Sequence, residues 1–328
     1  MRQRRTSPWS LSCTRVKVHV NVLCIRGGSE GWWSRGPLRG GDVEKVGSGE
    51  TRVVRTADGR ELGVCLWGDP EGAPVFWLHG TPGSRLLRDP TAGYARLQLT
   101  VCTYDRPGYG VSTRRRGRVQ AQAAEDVAAI ADALGWERFA VGGPSGGSGP
   151  ALAAARFLAN RVTRCGVIVG EGPSAAPELQ QAMDEDYRRD WELAVRGDEE
   201  GLAASFENLM EWVRAGMAGL EIEDHTVRSM LEEAFTEAGR HGPAGYVDDR
   251  VAGAHDWGFA VEDVSVPTRI VGALEDTPFM RENSRWLAHH IPGSQLSWRP
   301  GGHFGPSDDV DEARLLAWLG HGTVHAPT

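Results

Sequence analysis

The sequence predicts an α/β protein with a mostly parallel central sheet flanked by helices. Four strand-like runs lie at 75–78, 99–104, 139–141 and 166–169. The run at 75–78 is continuously apolar, which is typical of a central strand that is covered on both faces. Helical patterns separate most of these runs, and strands that alternate with helices form parallel sheets with helices on both faces.

The ordered part of the chain is expected to begin near Gly49 with an antiparallel hairpin. Strand-like segments at 51–55 and 61–67 flank an Asp-Gly pair at 58–59, which favours a tight two-residue turn. The last elements are expected as a strand at 267–271, a helix around 283–290, a strand at 295–298 and a helix near 312–319.

The alternation of strands and helices is interrupted at 176–262, where the sequence indicates several acidic helices. A helical insertion between two strands of a parallel sheet is most simply a cap over the carboxyl edge, where such sheets bind ligands. We therefore predict a core in two parts, 49–175 and 263–328, with the cap between them. Residues 1–48, which are rich in Arg and Gly, are expected to form a disordered extension.

The composition excludes several classes of function. The 328 residues carry a net charge of −8, which disfavours nucleic acid and anionic membranes as partners. No segment approaches the roughly 20 apolar residues that cross a bilayer, and no unbroken apolar region of a secretion signal follows the basic start. The five cysteines show no paired spacing, and no metal-ligand spacing is evident. We expect a cytoplasmic protein with no disulfide framework and no metal site.

A candidate nucleophile stands at a predicted strand–turn–helix junction. The sequence Gly-Pro-Ser-Gly-Gly at 143–147 matches the pattern G-x-S-x-G, follows the strand at 139–141 and precedes an apolar helix. Glycines two positions before and after Ser145 permit a turn so tight that side chains would collide. We therefore predict that Ser145 is a catalytic nucleophile held above a helix N-terminus, and that Ser148 is a helix-start residue.

A serine nucleophile needs a base, and the base needs an acceptor on its other nitrogen. Asp276 follows the predicted strand at 267–271, and His303 follows the strand at 295–298. Acid and then histidine is the order expected after a G-x-S-x-G serine. We predict a triad of Ser145, Asp276 and His303, with Glu275 and Glu171 as the alternatives for the acid.

The second requirement is a pair of N–H groups that stabilise a developing oxyanion. The N–H of Gly146, at the helix start, is one candidate. The glycine-rich loop at 79–85 follows a buried strand and supplies the other, for which we select Thr81. His79 lies in the same loop, and we expect its ring to brace the loop rather than to act as the base.

From about residue 51 to its end, the chain resembles the α/β-hydrolase fold superfamily. The motifs that carry the resemblance are Gly-Asp-Pro at 68–70, the loops at 79–85 and 105–110, the Ser145 turn, the insertion, Asp276 and His303. The resemblance implies a Ser-His-Asp hydrolase with a helical cap and no cofactor. It also supports Thr81 and Gly146 as the oxyanion donors and a structural role for the loop at 105–110.

The expected partner is a small-molecule substrate, for which a carboxylic ester or a lactone is the first choice. An aminopeptidase similar to proline iminopeptidases is the alternative, because the loop His-Gly-Thr-Pro-Gly at 79–83 resembles theirs. A non-catalytic ligand-binding protein on the same fold is a third reading, since a fold alone does not define a function. The sequence leaves the oligomeric state open.

Overall fold

The computed structural model describes Gly49 and residues 51–88, 93–219, 225–303 and 310–323. The predicted extension at 1–48 lies outside the described residues. The strands are β1 (Arg52–Arg55), β2 (Glu61–Gly68), β3 (Ala73–Trp77), β4 (Leu99–Tyr104), β5 (Phe139–Pro144), β6 (Val162–Ile168), β7 (Thr268–Ala273) and β8 (Gln295–Arg299).

These strands form one sheet in the order β1-β2-β4-β3-β5-β6-β7-β8. β2 runs antiparallel to β1 and β4, and all other neighbours are parallel. The predicted hairpin is confirmed, and Gly59 in its turn has a φ of 84°, which glycine adopts without strain. The mostly parallel sheet predicted from the sequence is therefore confirmed.

The helices are α1 (Gly93–Arg96), α2 (Ala123–Leu134), α3 (Ser148–Phe157), α4 (Pro177–Ala182), α5 (Glu185–Arg196), α6 (Glu199–Gly219), α7 (His225–Ala238), α8 (Ala244–Ala254), α9 (Pro278–His290) and α10 (Val310–His321). In the part of the chain that the structure describes, none of them combines the length and apolar character that a bilayer crossing requires.

Two apolar clusters cover the two faces of the sheet. Phe76 belongs to one cluster and Trp77 to the other, because successive side chains of a strand point to opposite faces. Ile130 of α2, Leu152 of α3 and other residues pack with Phe76. Leu319 of α10 packs with Trp77. The sheet is thus covered by helices on both faces.

Strand β5 is longer than its apolar pattern suggests. The predicted strand ends at residue 141, but backbone pairing continues through Gly142 and Gly143, which lie opposite Gly166 and Val167 of β6. The Trp77 ring packs against Gly142, where a Cβ would collide with it. The glycines therefore extend the strand while contributing no apolar side chain that the sequence pattern could register.

Helices α4 to α8 lie between β6 and β7, and we call residues 177–254 the helical insertion. Its apolar residues form clusters of their own, one of which contains Phe206, Met210 and Tyr246. The insertion also contacts the core, since Arg250 of α8 lies 3.8 Å from Glu171, just after β6. It therefore lies against the carboxyl edge of the sheet.

Candidate active site

Ser145 lies at the junction that the sequence predicted. β5 ends at Pro144, a single 3₁₀ turn covers 145–147, and α3 begins at Ser148. Ser145 has a φ of 51°, in the left-handed region that few residues other than glycine adopt. A strained backbone at a serine between a strand and a helix is the geometry of a nucleophile elbow.

The neighbouring glycines allow this turn to pack against the strand beside it. A Cβ on Gly143 would lie 2.5 Å from the carbonyl oxygen of Leu78, and a Cβ on Gly147 would collide with the same atom. Neither contact is with a flexible side chain that could move aside. The steric reason inferred from the sequence therefore holds for both positions.

Asp276 and His303 come together at the carboxyl ends of β7 and β8. The Nδ1 atom of His303 lies 2.9 Å from Oδ2 of Asp276. Oδ1 of the same carboxylate accepts the N–H of Thr277 at 2.8 Å, and Asp276 is buried. Glu275, the alternative acid next in sequence, is exposed. An Nδ1–H that donates to Asp276 makes Nε2 the basic nitrogen of the ring.

Glu171, the other alternative acid, lies beside the serine instead. Ser145 Oγ donates to Glu171 Oε1 at 3.4 Å. The backbone of Glu171 is fixed by Ser148, whose Oγ accepts its N–H at 2.9 Å and lies 2.7 Å from its carbonyl oxygen. Ser148 begins α3 as predicted, but its second role, which is to join the elbow to the loop after β6, was missed.

The two candidate oxyanion donors lie next to each other. A Cβ on Gly146 would lie 3.3 Å from the backbone nitrogen of Thr81 and would collide with the Thr81 side chain. Gly80 is close to the serine as well, since a Cβ built on it would be 3.5 Å from that of Ser145. The loop after β3 and the start of α3 therefore meet at the elbow.

His79 braces the loop after β3, as expected. Its ring Nδ1 donates to the carbonyl oxygen of Gly80 at 2.8 Å, and Nε2 accepts the N–H of Arg106 at 3.2 Å. Complete burial, followed by the positive charge of Arg106, lowers the pKa of His79 well below its ordinary value. The ring is therefore neutral and serves as a structural donor and acceptor.

A charged cluster under the insertion was missed from the sequence. Arg106, which follows β4, pairs with Asp249 of α8 at 2.5 Å, and Arg118 pairs with the same carboxylate. Arg106 also donates to the carbonyl oxygens of His79 and Gly80. The partners are more than 130 residues apart in sequence, so no local spacing could have revealed them.

A cleft opens from the elbow towards the insertion. It is bordered by Thr81 and Gly146 of the core and by Glu171, Tyr187, Asp190, Trp191 and Arg250. The Arg250 guanidinium lies between the Tyr187 and Tyr246 rings, 5.0 Å from each centroid. The insertion therefore contributes charged and aromatic groups to the cleft.

Several cleft residues carry buried polar atoms that have no hydrogen-bond partner within the described residues. These atoms are Gln120 Oε1, Asp190 Oδ1, Trp191 Nε1 and Arg250 Nε. Arg250 Nε lies 3.9 Å from Asp190 Oδ2, which is too long for a hydrogen bond. Side chains that border the cleft therefore hold both donors and acceptors that are buried and unpaired. In the described ranges, no three His, Cys, Asp or Glu residues are grouped for a metal ion.

Comparison with known proteins supports the assignment of the fold. A family model described as alpha/beta hydrolase fold matches residues 73–217. A search among curated proteins gave no match. Many solved structures are similar. One is a thermophilic esterase from Thermogutta terrifontis, with 21% identity over 80% of this chain and 94% of that one, and a TM-score of 0.59.

Two further structures show the range of activities on this fold. The enol-lactonase from Burkholderia xenovorans has 19% identity over 81% of this chain and 96% of its own, with a TM-score of 0.56. The epoxide hydrolase from Vigna radiata has 16% identity over 83% of this chain and 97% of its own, with a TM-score of 0.65. The chain therefore has the α/β-hydrolase fold, as its sequence motifs indicated.

Proposed function

We propose that the protein is a serine hydrolase that cleaves a small-molecule ester or lactone through an acyl-enzyme on Ser145. In this mechanism His303 takes the serine proton as the hydroxyl attacks the carbonyl carbon, and then returns it to the leaving alcohol. A water molecule, activated by the same ring, releases the acyl group. Asp276 holds the imidazole in the required tautomer and stabilises its cation.

The observation that carries the proposal is a strained serine elbow after β5 together with a histidine–carboxylate pair at the carboxyl ends of β7 and β8 in the same sheet. Ser145 has a φ of 51°, and His303 is 2.9 Å from Asp276. A strained serine at this position costs stability, and such strain is concentrated at functional sites. A purely ligand-binding protein would need neither feature.

The N–H groups of Thr81 and Gly146 are the proposed oxyanion hole. Their adjacency at the elbow supports this role. Each donor of this kind lowers the barrier by about 3 kcal/mol, because it is already oriented towards the oxygen that becomes negative. A serine at the elbow also supports acyl transfer, and hence ester or lactone cleavage.

The lining of the cleft favours a polar substrate. Asp190, Trp191 and Arg250 border the cleft and each carries a buried polar atom without a hydrogen-bond partner, whereas Met183, Phe206 and Met210 of the insertion pack in apolar clusters. A hydroxyl group can both donate and accept, so a hydroxylated ester or lactone would satisfy such a mixed set of groups. We therefore propose a small, neutral, hydroxylated substrate, with no nucleic acid or membrane as a partner.

The aminopeptidase alternative is favoured by one observation, which is the position of Glu171. Its carboxylate is 3.4 Å from Ser145 Oγ, near the place that an ammonium group next to the scissile carbonyl would occupy. Arg250, at 3.8 Å, offsets part of its charge. Turnover of proline 4-nitroanilide that is lost in Glu171→Gln, with little turnover of esters, would establish the alternative.

The proposal is tested by Ser145→Ala and His303→Ala in a screen of 4-nitrophenyl esters and simple lactones. We expect both variants to lose turnover while they keep the circular dichroism spectrum of the wild type. Near-normal esterase activity in Ser145→Ala would refute the assignment.

A cytoplasmic location is also proposed, because Cys65, Cys102 and Cys165 are buried free thiols.

A further inference from the structure

One carboxylate of the helical insertion reaches the loop that carries Thr81. Asp249 of α8 is buried, and its Oδ2 atom accepts hydrogen bonds from Thr81 Oγ1 and from the Tyr109 hydroxyl, each at 2.8 Å. Thr81 Oγ1 in turn accepts from Arg106 at 2.9 Å. The insertion therefore holds the Thr81 side chain directly.

Arg106 extends this contact to the backbone of the loop. Its guanidinium pairs with Asp249 and donates to the Gly80 carbonyl oxygen at 3.2 Å, which also accepts from the His79 ring. In a trans peptide the C=O and N–H groups point in opposite directions. Fixing the Gly80 carbonyl therefore fixes the direction of the Thr81 N–H.

We propose that Asp249 is a positioning residue for the oxyanion hole: it holds Arg106 and Thr81 so that the Thr81 N–H points at the reacting carbonyl. The inference rests on the proposed function, in which this N–H stabilises the oxyanion. Asp249 borders the cleft, but its carboxylate is occupied by Arg106, Arg118, Thr81 and Tyr109, so it acts on the loop through Arg106 and Thr81. Stabilisation of the transition state thereby depends on the packing of the helical insertion against the core.

Electrostatics explain why a carboxylate stands at this position. Burial opposes the ionisation of Asp249, but the charges and hydrogen bonds of Arg106 and Arg118 outweigh it and hold the pKa of this carboxyl below its usual range. A neutral amide there would leave two buried guanidinium groups without their counter-ion. The arginines would then lose the charge that orients them.

Asp249→Asn is the decisive variant, and Asp248→Asn is its matched control. Both aspartates are buried in α8, but Asp248 pairs with Arg114, at 2.8 and 2.9 Å, away from the oxyanion loop. We expect Asp249→Asn to lower kcat on a 4-nitrophenyl ester about 10- to 100-fold with KM nearly unchanged, as expected for a displaced oxyanion donor. Asp248→Asn should retain the kcat and KM of the wild type.

A second variant and a second readout keep the test decisive. Thr81→Val removes the hydroxyl that bridges Asp249 and Arg106, and should also lower kcat, even if Asp249→Asn folds poorly. Amide hydrogen exchange of the 79–85 peptide should accelerate in Asp249→Asn and not in Asp248→Asn. Unchanged exchange and kcat in Asp249→Asn, or an effect on KM alone, would overturn the proposal.

The exchange measurement also separates this inference from the proposed function. If the wild type cleaves no ester and fails to react at Ser145, the hydrolase assignment is wrong. Faster exchange in Asp249→Asn would then still support the positioning of the loop by Asp249, whereas equal exchange in both variants would refute it.

Discussion

The Nδ1 atom of His303 lies 2.9 Å from Oδ2 of Asp276, although the two residues belong to different loops of the chain. The contact forms because β7 and β8 are parallel neighbours, so their carboxyl ends meet at one edge of the sheet. A buried carboxylate next to an imidazole both orients the ring and stabilises its protonated form.

Asp276→Asn should lower kcat by about 10³- to 10⁴-fold, because an amide favours the wrong tautomer of His303. Steady-state kinetics on an activated ester would measure the loss. Glu275→Gln is the matched control, since that carboxylate is exposed and next in sequence. Comparable losses in the two variants would contradict the assignment of the acid.

The backbone of Ser145 stores strain that a glycine would release. A left-handed conformation costs a residue with a Cβ about 1 kcal/mol or more. The Ser145→Gly variant should therefore be more stable than the Ser145→Ala variant, with a free energy of unfolding that is higher by about 1 kcal/mol. Urea denaturation of the two inactive variants would measure the difference. An alanine variant that is equally stable would mean that the turn is not strained.

Trp191→Phe should reduce the preference for hydroxylated substrates, because it removes the unpaired indole N–H while keeping an aromatic ring in the cleft. The measured quantity is the kcat/KM for 4-nitrophenyl 3-hydroxybutyrate divided by the kcat/KM for 4-nitrophenyl butyrate. This ratio should fall about fivefold, because one hydrogen bond contributes about 1 kcal/mol net. Trp286→Phe, which removes a buried unpaired N–H outside the cleft, should leave the ratio unchanged. Equal effects of the two substitutions would argue against a polar subsite.

Buried His79 should make the protein less stable in mild acid. Its folded-state pKa lies well below the ordinary value of 6.5, so below that pH the unfolded chain binds a proton that the folded protein does not. The free energy of unfolding should therefore fall as pH decreases from 6.5, by up to about 1.4 kcal/mol per pH unit from this group.

Denaturation at a series of pH values would test this dependence. His79→Asn should show a shallower slope than the wild type, whereas substitution of the exposed His255 by Asn should keep the wild-type slope. A slope in His79→Asn as steep as that of the wild type would assign the acid sensitivity to other groups.

The parts of the site that lie at strand ends could be predicted, because strand order and loop position follow from local patterns. Ser145, Asp276 and His303 each stand within about five residues of the end of a predicted strand. Asp249 and Arg250 could not be found in this way, since they lie within an acidic helix whose partners are far away in sequence. Thr81 is 168 residues from Asp249, and only the packing of the insertion on the core brings them together.

Reaction with a fluorophosphonate probe would show whether Ser145 is an activated nucleophile. The probe reacts with a serine only where an elbow, a base and an oxyanion hole are assembled. Intact-mass analysis followed by peptide mapping should give a single adduct on Ser145 in the wild type and none in His303→Ala. Folded wild-type protein that forms no adduct, or an adduct on a different serine, would contradict the account.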